Sequence, residues 1–196
     1  RTLFTAEAIA QARANVAKYS SAKAQADSWI RLADEWVTWD DAALTGLVAS
    51  ASVPRDWGIS SDPKCPECGQ AINDPNSKPG WIVDPKKPFK VECPLCNTVF
   101  PTNDFETYYR SDFKEKIGWD TKYVDDGWGW IDAKTGEKYW FVAFANHWVV
   151  HGKLMNVMHA LGRAYVLTGD ERYAHKALVL LHRYAEVYPE MDHGAQ

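Results

Sequence analysis

No stretch of this sequence approaches the roughly 20 consecutive apolar residues needed to cross a bilayer, so no membrane-spanning helix is expected. Positive charge is also in deficit. Lysine and arginine number 22 against 26 acids, a formal net charge of −4, and without a basic stripe to meet phosphates a nucleic-acid partner is not expected. The chain has no glycine-rich phosphate loop, no nucleophile elbow and no placeable Ser/His/Asp set. Internal repeats and low-complexity tracts are missing too, which argues against a solenoid or a disordered tail. The chain opens at Arg1 with neither methionine nor a charged-then-apolar leader, the pattern expected once a leader has been removed or the chain trimmed. Cysteine is scarce: four residues allow two disulfides or one metal site, and their spacing has to decide.

What is present is enough to build a core. A chain of 196 residues buries the surface of one ordinary domain, with or without a small insertion. Ten tryptophans and nine tyrosines are many for that length. Such rings fill cores or line sugar and peptide grooves, and composition does not choose between them.

The chain divides by character into three segments, 1–56, 57–126 and 127–196. The first reads as helices. Thr5 is an N-cap with Glu7 in the first turn, and residues 6–18 are rich in alanine, the best helix former. From 21 to about 38, Ala22, Ala26, Trp29, Ile30, Ala33, Trp36 and Val37 recur at three- and four-residue steps and share a face. A third short helix is expected over 42–49, ending before Val53-Pro54. In the middle segment, prolines at 63, 66, 75, 79, 85, 88, 94 and 101 exclude long helices and predict turns and short strands. Helical periodicity then returns. Phe141, Phe144, Ala145, Trp148, Val149, Met155, Met158, Leu161 and Tyr165 form a stripe through one long segment, with Gly152 a point where it can bend. Asp170 caps a last helix, on which Tyr173, Ala174, Ala177, Leu178, Leu181, Tyr184 and Ala185 share a face, and Pro189 marks its stop. The short connection makes these two helices antiparallel.

The middle segment carries the strongest chemical signal. Cys65-Pro66-Glu67-Cys68-Gly69 and Cys93-Pro94-Leu95-Cys96-Asn97 are two copies of one device. A two-residue gap lets both thiolates of a turn reach the same metal, and Gly69 or Asn97 tolerates the left-handed backbone that follows. Two such knuckles make a four-thiolate zinc site through Cys65, Cys68, Cys93 and Cys96. With no open position for water, that zinc is structural. Two disulfides or a redox dithiol are the rival reading, and the duplication argues against them.

The remaining candidates are aromatic and imidazole groups. In Asp125-Asp126-Gly127-Trp128-Gly129-Trp130 two indoles sit between glycines, as a sugar-stacking pair would, or as a half-buried strand pair sealing the insertion. Asn146-His147-Trp148 followed by His151 puts two imidazoles one helical turn apart, either facing substrate or satisfied inside helix packing. A metalloprotease helix is not expected, since Trp148 stands where its glutamate belongs.

Taken together, several phrases resemble the heparinase II/III-like polysaccharide lyases. They are Leu3-Phe4-Thr5 opening the first helix; the two knuckles with Phe100-Pro101-Thr102-Asn103-Asp104-Phe105 after them; Asp125-Asp126-Gly127-Trp128-Gly129; and Leu167-Thr168-Gly169-Asp170-Glu171-Arg172-Tyr173-Ala174. The resemblance implies a mainly α fold, the start of an incomplete (α/α) toroid with a small β/loop zinc-ribbon insertion. It also implies β-elimination on an acidic, uronic-acid-containing polysaccharide, in a periplasmic or secreted enzyme that needs no redox cofactor. Family members are several hundred residues long, so this chain is expected to be an N-terminal portion partnered by later toroid helices and a β-sheet domain. The usual catalytic asparagine, tyrosine and histidine are then expected beyond Gln196, which leaves Trp128, Trp130, Asn146, His147, Trp148 and His151 as candidate substrate-groove residues. The alternative is a noncatalytic zinc-ribbon module binding carbohydrate or protein.

Overall fold

The computed structural model describes residues 4–54, 64–72 and 80–191. Leu3, Trp57, the 56/57 boundary and Pro63, Pro75 and Pro79 lie outside the described residues, as does the chain after Met191. The fold is mainly helical with two small sheets, and among the described residues no helix is long and apolar enough to cross a membrane. The chain forms two compact units, one of residues 1–46 with 152–186 and one of 47–151 with 187–196.

The first unit is built from helices. Thr5 caps α1 (Ala6–Lys18), its Oγ1 accepting from the Ala8 amide at 3.2 Å. α2 (Ser20–Val37) buries Ala26, Ala33 and Trp36, the face that its periodicity selects, and packs against α1 and α6 (Met155–Thr168). α3 (Asp41–Gly46) is shorter than the sequence suggests and starts where Asp40 Oδ1 accepts from Ala43 N at 2.7 Å. α6 (Met155–Thr168) ends at Gly169, whose φ of 79° is the left-handed backbone that glycine adopts freely. Asp170 Oδ1 then accepts from the Arg172 amide at 3.0 Å at the start of α7 (Glu171–Val187). Polar ties fasten the helices. Arg13 donates twice to Val166 O, Tyr173 Oη donates to Asp34 Oδ1 at 2.6 Å, and Lys176 Nζ donates to Asp41 Oδ1 at 2.6 Å.

Two apolar stripes differ from the periodic expectation. On α6 the buried residues are Val157, Ala160, Leu161 and Ala164, whereas Met155 and Tyr165 are exposed. The cause is a π-helical stretch, Trp148–Leu154, between α5 (Phe141–His147) and α6. Its wider turn takes in extra residues, so a 3.6-residue stripe carried through it loses phase. On α7 the buried set is Tyr173, Ala177, Leu180, Tyr184 and Val187, and Leu178 and Leu181 face solvent. This helix is apolar on two faces, and periodicity alone cannot rank them.

The second unit has little regular structure and two aromatic centres. β1 (Val91–Glu92) and β2 (Val99–Phe100) pair antiparallel, Val91 opposite Phe100, and β3 (Trp130–Ile131) pairs likewise with β4 (Lys138–Tyr139). α4 (Phe105–Arg110), capped by Asp104 Oδ1 accepting from Thr107 N, is a short helix in the proline-rich segment. Phe100 stacks on Phe141 at 4.7 Å, with Tyr123 and Trp81 edge-on to Phe100. The other centre joins Ala49, Val53, Phe89, Phe105 and Val142.

Asp125 fastens these pieces. Fully buried, it accepts from the amides of Gly127 and Gly129 on Oδ1 and of Val142 on Oδ2, at 2.7, 2.9 and 3.0 Å. Its own backbone is clasped by the buried Asn103 side chain, which both donates and accepts at 2.9 Å. Burial pushes the Asp125 carboxyl above its ordinary range, against the downward pull of the three amides.

Candidate metal centre and neighbouring polar cluster

The two cysteine turns have the same backbone. In the first, Gly69 N donates to Cys65 O and Cys65 N to Gln70 O; in the second, Asn97 N donates to Cys93 O and Cys93 N to Thr98 O. Gly69 and Asn97 take φ of 70° and 60°, the left-handed step that turns each chain back. Such a step is costly for most side chains, and glycine and asparagine bear it best. The second turn is braced by the β1–β2 pair, the first by a single bridge between Lys64 and Ala71.

These turns bring all four sulfurs within 4.8 Å of one another, Cys65 and Cys93 buried and Cys68 and Cys96 half-buried. The thiols are free, with Cys65 Sγ 3.7 Å from Cys96 Sγ. A tetrahedron of thiolates at about 2.3 Å from a central ion has sulfur–sulfur edges of about 3.8 Å, so the spacing suits one shared ion. Leu95 N also donates to Cys93 Sγ at 3.4 Å. Burial pushes the Cys65 and Cys93 thiols up. Cys96 feels the same penalty, but the Thr98 hydroxyl and amide and the neighbouring thiols outweigh it and hold this group at about 7. Burial favours the neutral form of these two thiols, and a bound dication is what would make them anionic. The cluster can therefore hold a metal ion.

The aromatic candidates separate into two kinds. Trp130 is half-buried, edge-on to Tyr123 at 4.9 Å and beside Tyr139 and Phe141, so its indole serves the aromatic centre. Trp128 is 44 % exposed. The glycines around it are set by packing, since a Cβ on Gly127 would meet the Phe105 ring at 3.3 Å, and one on Gly129 would meet Lys138 Cε at 2.9 Å and Tyr139 O at 3.0 Å. They allow Asp125 to gather its amides.

Asn146, His147, Trp148 and His151 lie together at the junction of α5 and the π-helical stretch. The imidazoles of His147 and His151 approach to 4.9 Å between centroids, both half-buried, and the exposed Trp148 indole is edge-on to His147. Asn146 is buried; Nδ2 donates to Pro54 O at 3.3 Å, while Oδ1 has no hydrogen-bond partner among the described residues. No ring contact joins Trp128 to this group among the described residues.

The structure adds Asn103 and Asp125, which sequence reasoning passed over. Asp125 stands within a phrase singled out for its tryptophans, and the signal that could have found it is an acidic residue two and four positions before glycines. Comparisons of the chain with protein-family models, with curated proteins and with solved structures found no match.

Proposed function

We propose that this chain works in a polysaccharide lyase that cleaves a uronic-acid-containing polysaccharide by β-elimination, with one structural zinc ion held by Cys65, Cys68, Cys93 and Cys96. The observation that carries the reading is Asn146, a buried amide whose Oδ1 has no partner among the described residues, next in the chain to a pair of imidazoles and an exposed indole. A buried polar atom without a partner costs about 1–3 kcal/mol, so this oxygen asks for a donor beyond the described residues. A sugar hydroxyl is such a donor. The Nδ2 group carries a second hydrogen beyond the one given to Pro54, a donor of the kind that a uronate carboxylate accepts. The phrases that resemble the heparinase II/III-like lyases support the same reading, as does an indole that can stack on a sugar ring.

In this reaction a base removes the C5 proton, its electron pair forms the C4–C5 double bond, and the C4–oxygen bond breaks as the leaving oxygen takes up a proton. Neutralising the carboxylate lowers the cost of the developing enolate. His147 and His151 stand in this reading as candidate substrate-groove residues. An enzyme acting on such a polymer works outside the cytoplasm, in the periplasm or as a secreted protein. The four-thiolate donor set favours zinc, for which a closed tetrahedral site is the ordinary structural role. In the toroid reading, the helical unit is its opening and the knuckles a zinc-ribbon insertion.

The test is to incubate the full-length protein with a panel of uronate polysaccharides and follow the ultraviolet absorbance of the unsaturated uronate. Appearance of the chromophore, reduced at least about tenfold in Asn146→Ala and His147→Ala, supports the reading. Saturable polysaccharide binding with no chromophore would instead favour a noncatalytic carbohydrate-binding module, a reading that the exposed Trp128 and Trp148 indoles recommend.

A further inference from the structure

The helical unit contains a cleft that none of the residues above explains. Its volume is about 840 Å3, and it lies among α1, Trp29 of α2 and one face of α6. Clefts of roughly 300–1,000 Å3 lined mainly by apolar groups with a few polar ones are the usual form of a small-molecule site. The walls here are Ile9 and Ala12 on one side and Met158, Val166 and Leu167 on the other. Apart from His159, Arg163 and Tyr165, the lining side chains are apolar.

Two further observations separate this cleft from a loosely packed helix interface. Gly162 lies in the interior of α6 and lines the cleft, and a Cβ placed there would meet nothing within 4 Å. Neither a positive φ nor a close neighbour requires glycine at this position, although glycine in a helix interior costs about 0.5–1 kcal/mol against alanine. The space above it is room for something outside the fold. The second observation is charge. Arg163 sets its guanidinium over the Trp29 ring, 4.6 Å from the centroid, and has no acidic partner among the described residues. His159 stands one helical turn before it on the same face, equally without an acidic partner. Among the described residues no acidic side chain lines the cleft.

We infer that this cleft binds a small anionic amphiphile, a medium-chain carboxylate, whose chain lies over Gly162 between α1 and α6 and whose carboxylate meets Arg163. The apolar lining selects the chain, and the unpaired guanidinium selects the sign of the head group. A sugar is a poorer occupant, since few side chains here offer the hydrogen bonds that its hydroxyls need. The site shares no residue with the thiol cluster or with Asn146.

The experiment is isothermal titration of the full chain with octanoate, octanol and octylammonium, each below its aggregation limit. Octanoate is expected to bind saturably at one per chain, and octylammonium to bind more weakly than either of the others. Arg163→Gln should weaken octanoate by about two- to fivefold, the range that an exposed charge pair supplies, and leave octanol unchanged. Gly162→Met should abolish uptake of both, while Gly162→Ala retains it. Ala12→Met fills the cleft from the opposite wall and gives the same loss should Gly162→Met fail to fold by circular dichroism. Absence of saturable octanoate binding, binding indifferent to head-group charge, or binding that survives both filling variants would overturn the inference.

Discussion

The two compact units are held together by different means. In the helical unit, Ala26, Ala33, Leu161 and Ala164 are buried along long helices, and the polar ties such as Arg13 to Val166 run across its surface. The thiol-bearing unit has strands of two residues and helices of six and seven. Its order comes from converging sulfurs, stacked rings and one buried carboxylate. A long amphipathic helix supplies its own backbone hydrogen bonds and asks only for a partner face. A loop-rich segment has to find a partner for each amide separately, as Leu95 does in Cys93 Sγ and Gly127, Gly129 and Val142 do in the Asp125 carboxylate.

The largest way to break that comparison is to remove the proposed zinc ion. Chelation, or Cys93→Ser, is expected to cost several kcal/mol, a part of the ~10–16 kcal/mol that whole thiolate sites contribute to small zinc domains. Near-ultraviolet circular dichroism from the aromatic centres should collapse while the far-ultraviolet helical signal largely persists. Elemental analysis should find one zinc per chain in the parent protein; parent protein free of metal with both cysteine pairs oxidised would end the metal reading.

Asp125→Ala comes next. Two buried amides and one half-buried one lose their acceptor at about 1–3 kcal/mol each, so a loss of about 3 kcal/mol or more is expected in urea unfolding. Leu161→Ala, at a fully buried position in the other unit, should cost about 2–5 kcal/mol and leave the metal content unchanged. Equal disturbance of the zinc stoichiometry by both variants would show that the distinction between the units is wrong.

Acid sharpens the contrast with a smaller effect. Lys176 and then His175 hold the Asp41 carboxyl below its ordinary range, and Arg172 does the same for Asp170. A carboxyl whose folded value is depressed contributes above its unfolded value, about 3.9, and loses that contribution as pH falls through the folded one. The helical unit should therefore weaken only below about pH 4. The thiol-bearing unit should fail at higher pH, when protons displace the metal. Two separate steps in an acid titration are expected, and Asp41→Asn should flatten only the lower one.

Local features were legible in the sequence, and long-range ones were not. The knuckles, the Thr5 cap and the buried face of α2 follow from spacings of two to four residues, which fix backbone geometry directly. Asp125 was opaque because its third amide, Val142, is remote in the chain, and a carboxylate two residues from glycine looks like any surface turn. The π-helical stretch left no mark beyond Gly152, and its change of phase misplaced the stripe of α6. On α7, Leu178 and Leu180 are equally apolar, so only the assembled unit decides which is covered. Of the candidate site, the four sulfurs could be read from order alone, whereas the orphaned oxygen of Asn146 exists only once Pro54 is brought to its other side.

The Phe100–Phe141 stack gives the ion a reach beyond its own ligands. Phe100 ends the strand that leaves the second knuckle, and Phe141 is the first residue of the helix whose far end bears Asn146 and His147. The stack thus gives the loop that bears the second pair of thiols a packing contact with the helix that carries His147, so a change that frees the sulfurs is expected to reach this polar cluster through one ring pair.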